Sequence, residues 1–150
     1  MSNIYPAWWS QTVTIYNKTE DKQTHVVTWH RHVVGGVFWK YAGNKVNVNE
    51  VTLETNDVTV RLRKDDMNFR EAYIWQALAN DEKPNFYTLQ NGDIIIKGEV
   101  EDEIDEYTQG HRSTDLIEKY KDLQGCIEIE RVAINVGPGL GQEHYYVRGV

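Results

Sequence analysis

A dense acidic stretch contains the residues best able to bind a cation. Six carboxylates lie within the sequence "EVEDEIDE", which has no lysine or arginine: Glu99, Glu101, Asp102, Glu103, Asp105 and Glu106. Carboxylate oxygens are the ligands that Ca²⁺ and Mg²⁺ prefer. A calcium-binding EF-hand loop starting at Glu101 would need glycine in place of Glu106 and glutamate in place of Arg112. We therefore expect residues 99–112 to form a solvated acidic loop or a charged pore surface, with opportunistic divalent binding as the alternative.

Two histidines are the next candidates for metal binding. His30 and His32 share one face of a strand in "THVVTWHRHVV", and such a pair can supply two zinc ligands. No cysteine or other histidine stands at a matching spacing. The sequence therefore predicts no metal site, and we expect the two histidines to lie at a surface or a subunit interface.

Signals for catalysis and nucleotide binding are weak. The "GPGLG" run at Gly137–Gly141 resembles a phosphate-binding loop only in its glycines, because a strand-like "EHYYV" follows where a helix is required. The single cysteine, Cys126, lies in an apolar strand, where a thiol is normally inert. No Gly-x-Ser-x-Gly motif occurs. We expect no catalytic residue, no cofactor and no enzyme activity.

Length and composition indicate one globular domain over residues 1–150. The chain is 40% hydrophobic, with five Trp and nine Tyr, which is enough to build a core. It has no apolar run of membrane-spanning length, and its first residues lack signal-peptide features, so we expect synthesis and folding in the cytoplasm. The net charge of −7 comes almost entirely from the acidic stretch. Such a surface repels phosphate backbones rather than gripping them.

Alternating apolar residues predict a mainly β fold. The sequences "TVTIYNK" and "DVTVRLR" place Val13 and Ile15, and then Val58, Val60 and Leu62, on single strand faces. The pair Gly35–Gly36 is expected to break a strand before a short continuation, "VFWKY". An Asn-Gly-Asp turn precedes "IIIK", whose unbroken apolar run predicts a strand covered on both sides.

The second half predicts one helix and a bent strand. "STDLIEKYKDLQG" has helix-starting residues, Leu116, Tyr120 and Leu123 at helical spacing, and Gly125 as a stop. In "CIEIERVAINV" the apolar residues change parity, as a β-bulge at a barrel corner produces. We predict a small antiparallel β-barrel or sandwich of the SH3 or OB type, with long loops and one short late helix. Residues 1–10 form an N-terminal arm, and residues 65–90 an irregular lobe with a helical turn or two.

Several aromatic and basic residues are candidates for contacts between subunits. Trp8 and Trp9 follow Pro6 on the N-terminal arm, and large aromatics dominate interface hot spots. Packing of one of them on the chain's own core is an equal alternative. The basic run Arg61, Arg63 and Lys64 has the charge to meet the acidic stretch of an adjacent copy, although such a run is more often a solvated strand face.

Taken together, five segments resemble head-completion proteins, which form the neck of tailed phages and prophages of Gram-positive bacteria. The matching segments cover most of the chain: "TVTIYNK", "VFWKY", "LQNGDIIIKG", "EVEDEIDEY" and "HYYVRG". The resemblance implies a stopper or head–tail connector built on a small β-barrel. Such a protein assembles in the host cytoplasm as a ring of six or twelve copies below the portal and adaptor. It closes the DNA-filled head, docks the tail terminator and catalyses nothing.

In such a ring the acidic stretch has an expected role. If it lines the central channel, it would let double-stranded DNA slide past without sequence recognition. The loop is expected to be mobile unless cations or neighbouring Arg and Lys neutralise it. Closure would then fall to this loop or to the 65–90 lobe. Two alternatives stay open, namely a tail terminator one ring lower and a β-type module that binds a small ligand.

Overall fold

The strands close a six-stranded antiparallel barrel. The computed structural model describes residues 9–48, 51–63, 66–121, 125–135 and 144–149. Around the barrel the strand order is β1-β2-β3-β6-β5-β4. The elements are β1 Gln11–Glu20, β2 Val27–Val48, β3 Val51–Arg63, α1 Ala72–Gln76, a 3-10 turn Lys83–Asn85, β4 Ile94–Lys97, α2 Ser113–Tyr120, β5 Cys126–Asn135 and β6 His144–Gly149. The predicted β-barrel fold is confirmed.

The barrel interior follows from strand alternation. Val13 and Ile15 of β1 point inward, and so do Val58, Val60 and Leu62 of β3, as the sequence predicts. The other strands complete this core with Val34, Val37, Ile95, Ile127, Ile129, Tyr145 and Val147. Burial of these apolar side chains is the main favourable contribution to folding.

Two glycines bend β2 instead of ending it, so the expected strand break at Gly35–Gly36 is wrong. The pairs Val13↔Val34 and Gln11↔Val37 leave one extra residue on β2, which is a β-bulge. Gly36 has φ of 67°, a conformation that glycine adopts without steric cost. The bend carries β2 from its pairing with β1 to its pairing with β3. β2 is therefore one strand of 22 residues, and the "VFWKY" sequence lies within it.

The predicted bulge in β5 is confirmed. The register shifts between Ile129, which pairs with Gly149, and Arg131, which pairs with Arg148. Before the shift, Ile127 pairs with β4. The bulge therefore turns β5 from β4 towards β6 and helps to close the barrel.

A second core lies outside the barrel, where α2 and the chain before it cover β1 and β4. Its buried members are Tyr16, Trp29, Ile94, Ile96, Val100, Ile104, Leu116, Tyr120 and Cys126. In β4, Ile95 faces the barrel interior while Ile94 and Ile96 face this second core. The "IIIK" strand is thus covered on both sides, as predicted.

The β2–β3 hairpin extends past the barrel as a two-stranded ribbon. β6 pairs with β3 only from Val58 to Arg63. Beyond that point the pairs from Ala42↔Asp57 to Val48↔Val51 link β2 and β3 to each other alone among the described strands. At about 3.3 Å per residue the ribbon extends roughly 20 Å from the barrel.

The 65–90 lobe is packed against the barrel over its described residues, 66–90. Trp75 of α1 is fully buried and donates its Nε1 hydrogen to the Phe86 carbonyl oxygen at 3.1 Å. Phe69 lies 4.1 Å from the Tyr145 ring, measured between centroids, and contacts Tyr87 edge-on. The lobe therefore holds the expected helical turns and is anchored at several points.

Candidate functional site

The sequence Glu99–Glu106, which we call the acidic band, alternates between exposed and inward-facing residues. Glu99, Glu101 and Glu103 are exposed, while Val100 and Ile104 are buried in the second core. The apolar residues fix one side of the segment, so the three glutamates project together on the other. Period-two alternation of this kind is typical of extended backbone.

Hydrogen bonds hold the first half of the acidic band against β1 and β2. The Val100 N–H donates to Thr14 Oγ1 at 3.0 Å, and the Val100 carbonyl accepts from Arg31 Nε at 2.6 Å. The Tyr16 hydroxyl donates to the Asp102 carbonyl at 2.6 Å. Burial raises the pKa of Tyr16 well above its usual range.

The inward carboxylates of the acidic band, Asp102 and Glu106, are bound by residues of α2. Asp102 accepts from Lys119 Nζ and from the Tyr120 hydroxyl, each at 2.8 Å. The Lys119 contact is the main cause of the lowered pKa of Asp102. Glu106 accepts from the backbone N–H of Ser113 at 2.6 Å. The sequence predicted a mobile loop unless cations or neighbouring Arg and Lys neutralised its carboxylates. Lys119 provides such a neutralising charge at Asp102.

Asp105 organises the turn that leads into α2. Its carboxylate accepts from the Tyr107 N–H at 2.9 Å and from Thr108 Oγ1 at 2.8 Å. The backbone bond from Tyr107 is the larger cause of the lowered pKa of Asp105. Of the six carboxylates, then, three hold the loop together, and the three exposed glutamates are left to face solvent or a partner.

The opposite side of the barrel carries positive charge. Because Val58, Val60 and Leu62 point inward, their neighbours on β3 and the residues paired with those neighbours point outward. The outward positions include Lys40, Arg61, Arg63 and Arg148, and Arg131 pairs with Arg148; we call these five residues the cationic face. One exposed carboxylate, Glu130, lies in the adjacent bulge of β5.

Barrel topology places the acidic band and the cationic face on opposite sides. The acidic band covers β1 and β4, whereas the cationic face is centred on β3 and β6. In the order β1-β2-β3-β6-β5-β4, β1 lies across from β6 and β4 lies across from β3. A single copy thus presents opposite charges in opposite directions.

The predicted histidine pair packs against this chain's own lobe. The His30 ring meets Trp75 edge-on at 5.4 Å, and the His32 ring lies 5.1 Å from Tyr87, both measured between ring centroids. Burial, followed by the nearby Lys83 ammonium, lowers the pKa of His30. Among the described residues no three side chains of the metal-binding types form a group that could hold an ion.

The sequence named aromatic and basic residues as candidates for contacts between subunits. Some of them lie on the barrel, and the others lie outside the described residues. Trp9 is buried and stacks on Phe38 of β2 at 6.3 Å, so it packs on the chain's own barrel. Arg61 lies over the same Phe38 ring at 5.4 Å, and Arg63 is half-buried. Trp8 and Lys64 lie outside the described residues, as does the Gly137–Gly141 run.

A buried carboxylate network, which sequence analysis did not identify, joins the lobe to the barrel. Asp93 Oδ2 accepts from Asn17 Nδ2 at 2.7 Å and from Gln90 Nε2 at 2.8 Å. Asp93 Oδ1 accepts from the Lys18 N–H at 3.1 Å, and Asn17 also bonds Thr88. Burial outweighs these bonds and raises the pKa of Asp93 to about 6. An aspartate in an Asn-Gly-Asp turn suggests exposure, so only the tertiary contacts reveal its position.

A cleft lies between the β1–β2 turn and α1. It has a volume of about 630 Å³ and is lined mainly by polar side chains, including Glu20, Lys22 and Lys83. Tyr73 is its one aromatic residue in the described part of the chain. Among the described aromatic residues, Trp29, Tyr16, Tyr87, Tyr120 and Tyr145 lie in the two cores, whereas Tyr41 and Tyr107 are exposed away from this cleft.

Other groups in the described residues offer little for chemistry. Cys126 is buried in the second core, and burial raises the pKa of its thiol to about 12. A thiol in this state is a poor nucleophile and a poor metal ligand. No helix in the described parts of the chain is long and apolar enough to span a membrane.

Comparison with known proteins places the chain in a family without assigning it an activity. No curated protein and no solved structure matches it. A family of unknown function (DUF6751) matches over residues 9–150, which is all of the chain except its first eight residues. The chain therefore belongs to the DUF6751 family.

Proposed function

We propose that this chain is a head-completion protein in the neck of a tailed phage or prophage. Its copies form a ring below the portal and adaptor, close the DNA-filled head and dock the tail terminator. The proposal rests on the resemblance described above and on one observation, the β2–β3 ribbon.

The ribbon is an element that a single copy supports poorly. From Ala42↔Asp57 to Val48↔Val51 its two strands pair only with each other among the described strands. A two-stranded ribbon is marginally stable in water, and its free edges present unpaired N–H and C=O groups to any neighbouring chain. Such an element gains stability when other copies or other proteins surround it, as they do in a ring.

The ribbon is also a better candidate for closing a channel than the two segments named from sequence. The acidic band is fixed by Asp102 and Val100, and the lobe is anchored by Trp75 and Tyr87. The ribbon, in contrast, reaches about 20 Å past the barrel. We assign it the task of reaching across the lumen or into an adjacent protein.

The ring leaves two positions for the exposed glutamates of the acidic band. They either line the DNA path, where they would repel the phosphate backbone, or they contact the neighbouring copy. The two positions differ in what charge reversal does to assembly.

The test is electron microscopy of particles made without this protein in an otherwise complete phage or prophage. Separate tails beside heads that have lost their DNA are the expected result. Full heads beside tails of irregular length would favour a tail terminator instead. Normal infectious particles would overturn the proposal and direct attention to the cleft beside Tyr73 as a ligand site.

A complementation variant tests the ribbon itself. In this variant residues 44–55 are replaced by Asn-Gly, a two-residue turn that suits an antiparallel hairpin. The shortened chain is expected to give the circular dichroism spectrum of a folded β protein and to leave heads unable to retain DNA. Full complementation by a folded, shortened chain would remove the ribbon from the function.

A further inference from the structure

We infer that the cleft between the β1–β2 turn and α1 binds a small hydroxylated organic acid, whose carboxylate meets the ammonium group of Lys83. The site is separate from the β2–β3 ribbon and from the acidic band, and it does not depend on the proposed ring. The feature that carries it is a buried lysine that lines an open cleft and forms no ion pair with the described residues.

Lys83 is a buried cation without a counter-charge in the described part of the chain. It is 4% exposed, its Nζ donates to the Leu78 carbonyl oxygen, and this Nζ lies 5.6 Å from the centroid of the Trp75 ring. No carboxylate among the described residues forms an ion pair with it. An ammonium group has three N–H donors, and a buried charge without an ionic partner destabilises a fold. Lys83 therefore has charge and hydrogen-bonding capacity left for a ligand.

The two carboxylates that line the same cleft are engaged by the β1–β2 turn. Glu20 Oε1 lies 3.4 Å from His25 Nδ1. Asp21 Oδ1 accepts from the backbone N–H groups of Gln23 and Thr24, at 2.8 and 3.0 Å. The bond from Thr24 is the main cause of the lowered pKa of Asp21. Both carboxylates are thus held by groups of their own turn and not by Lys83.

The charges of the lining favour a carboxylate over a phosphate. Two cations, Lys22 and Lys83, and two anions, Glu20 and Asp21, are the charged residues of the described lining. A phosphate monoester carries a charge of about −1.5 to −2 at pH 7, so the two carboxylates repel it more strongly than they repel a singly charged acid. One buried ammonium group matches one carboxylate.

The other groups of the lining suit a polar body with a ring. Thr28 and Asn80 are exposed and offer a hydroxyl and an amide for hydrogen bonds. Tyr73 is 73% exposed, and its ring supplies an apolar surface at the same cleft. The volume of about 630 Å³ is within the range of small-molecule sites. These features fit an acid of about the size of a sugar acid.

A purely structural role for Lys83 predicts a different result from a ligand-binding role. In the structural role, the ammonium group stabilises the turn after α1 through the Leu78 carbonyl oxygen. Lys83→Met would then lower the urea concentration at the midpoint of unfolding. In the ligand-binding role, K83M removes an uncompensated buried charge and keeps an apolar side chain, so the empty variant should be at least as stable as the wild type.

Isothermal titration calorimetry with four probes at pH 7 tests the site. Glucuronate and gluconate are hydroxylated acids, glucose lacks the carboxylate, and glucose 6-phosphate carries a phosphate instead. We expect at least one of the two acids to bind with a dissociation constant of about 1 mM or tighter. Glucose and glucose 6-phosphate should each bind at least about tenfold more weakly than that acid, because each lacks the singly charged group that matches Lys83.

A pair of lysine variants assigns the binding to Lys83. K83M should weaken binding of the acid at least about tenfold, because a hydrogen bond between charged groups is lost. The matched control is K22M, which makes the same substitution at an exposed lysine of the same cleft and should change the affinity less than about threefold. Circular dichroism and urea unfolding establish that both variants fold.

Four results would overturn the inference. In the first, neither acid gives a saturable heat signal up to about 10 mM. In the second, K83M binds the acid as the wild type does. In the third, glucose or glucose 6-phosphate binds as tightly as the acid, which would mean that the carboxylate is not what the cleft recognises. In the fourth, K83M folds but is less stable than the wild type, which would assign Lys83 to the turn after α1.

Discussion

Replacing Asp93 with asparagine should abolish a specific pH dependence of stability. Asp93 is 2% exposed, and burial raises its pKa from 3.8 to about 6. One pKa unit corresponds to about 1.4 kcal/mol, so the ionised carboxylate costs the fold about 3 kcal/mol relative to the protonated one. Asparagine cannot ionise, so the D93N variant does not have this free-energy cost.

The sign follows from proton binding. Between pH 3.8 and about 6 the folded state holds the Asp93 proton while the unfolded state has lost it. The folded state binds more protons in this window, so stability falls as pH rises. Integration over the two pKa values gives a fall of about 1.4 kcal/mol between pH 5 and pH 7.5 from this residue alone.

Urea unfolding followed by tryptophan fluorescence measures the effect, with wild type and D93N compared at each pH. The comparison removes the contribution of His30, whose lowered pKa acts in the opposite direction over an overlapping range. D93N should gain about 1.4 kcal/mol relative to the wild type as pH rises from 5 to 7.5. This holds whatever its absolute stability, which also reflects an amide facing the Lys18 N–H.

The matched control is D81N, which makes the same substitution at an exposed position of the lobe. Its stability relative to wild type should not change over this range. A D93N difference that stays constant, or that moves against the variant with rising pH, would refute the reasoning. A constant difference would mean that the three hydrogen bonds to the Asp93 carboxylate offset its burial, and a difference of the opposite sign would mean that they outweigh it.

Three other changes have expected outcomes. Asp102→Ala removes the bonds from Lys119 and Tyr120, which should cost about 1–2 kcal/mol and make the acidic loop a site of limited proteolysis; a loop that resists protease as the wild type does would contradict this. Gly149→Ala places a Cβ 2.5 Å from the Glu128 carbonyl oxygen. Thermal melting should therefore show a loss of about 1–3 kcal/mol in the free energy of unfolding. An unchanged melting temperature would mean that the chain end moves freely. Cys126 should react with a thiol reagent only on unfolding, at a rate that follows urea concentration, because the native thiol is buried with a pKa of about 12; fast labelling of the native protein would show that the second core opens.

Local patterns in the sequence were enough to predict the class of fold. The alternation of Val58, Val60 and Leu62 specifies a strand with one buried face, because successive side chains point to opposite sides. The Asn-Gly-Asp turn and the apolar run after it specify a strand that is buried on both faces. The helix at Ser113–Tyr120 and the parity change in β5 are also local signals, since each depends on residues within a few positions.

Long-range contacts decided what sequence analysis got wrong or missed. A glycine pair either ends a strand or bends it, and at Gly35–Gly36 the outcome depended on β1 and β3 being present to pair on each side of the bend. The burial of Asp93 likewise depends on Asn17 and Gln90, which come together only when the lobe folds onto the barrel.

The acidic band shows the division most clearly. Sequence alone determined the charge of the acidic band. Val100 and Ile104 also lie among its carboxylates within eight residues, so the alternation of apolar and charged side chains is local. Only the tertiary structure decided that this segment lies against α2, with Asp102 turned inward to Lys119 and the glutamates turned outward. It also placed Arg131 and Arg148 on the far side of the barrel, because strand order around a closed sheet is set by pairings between distant residues.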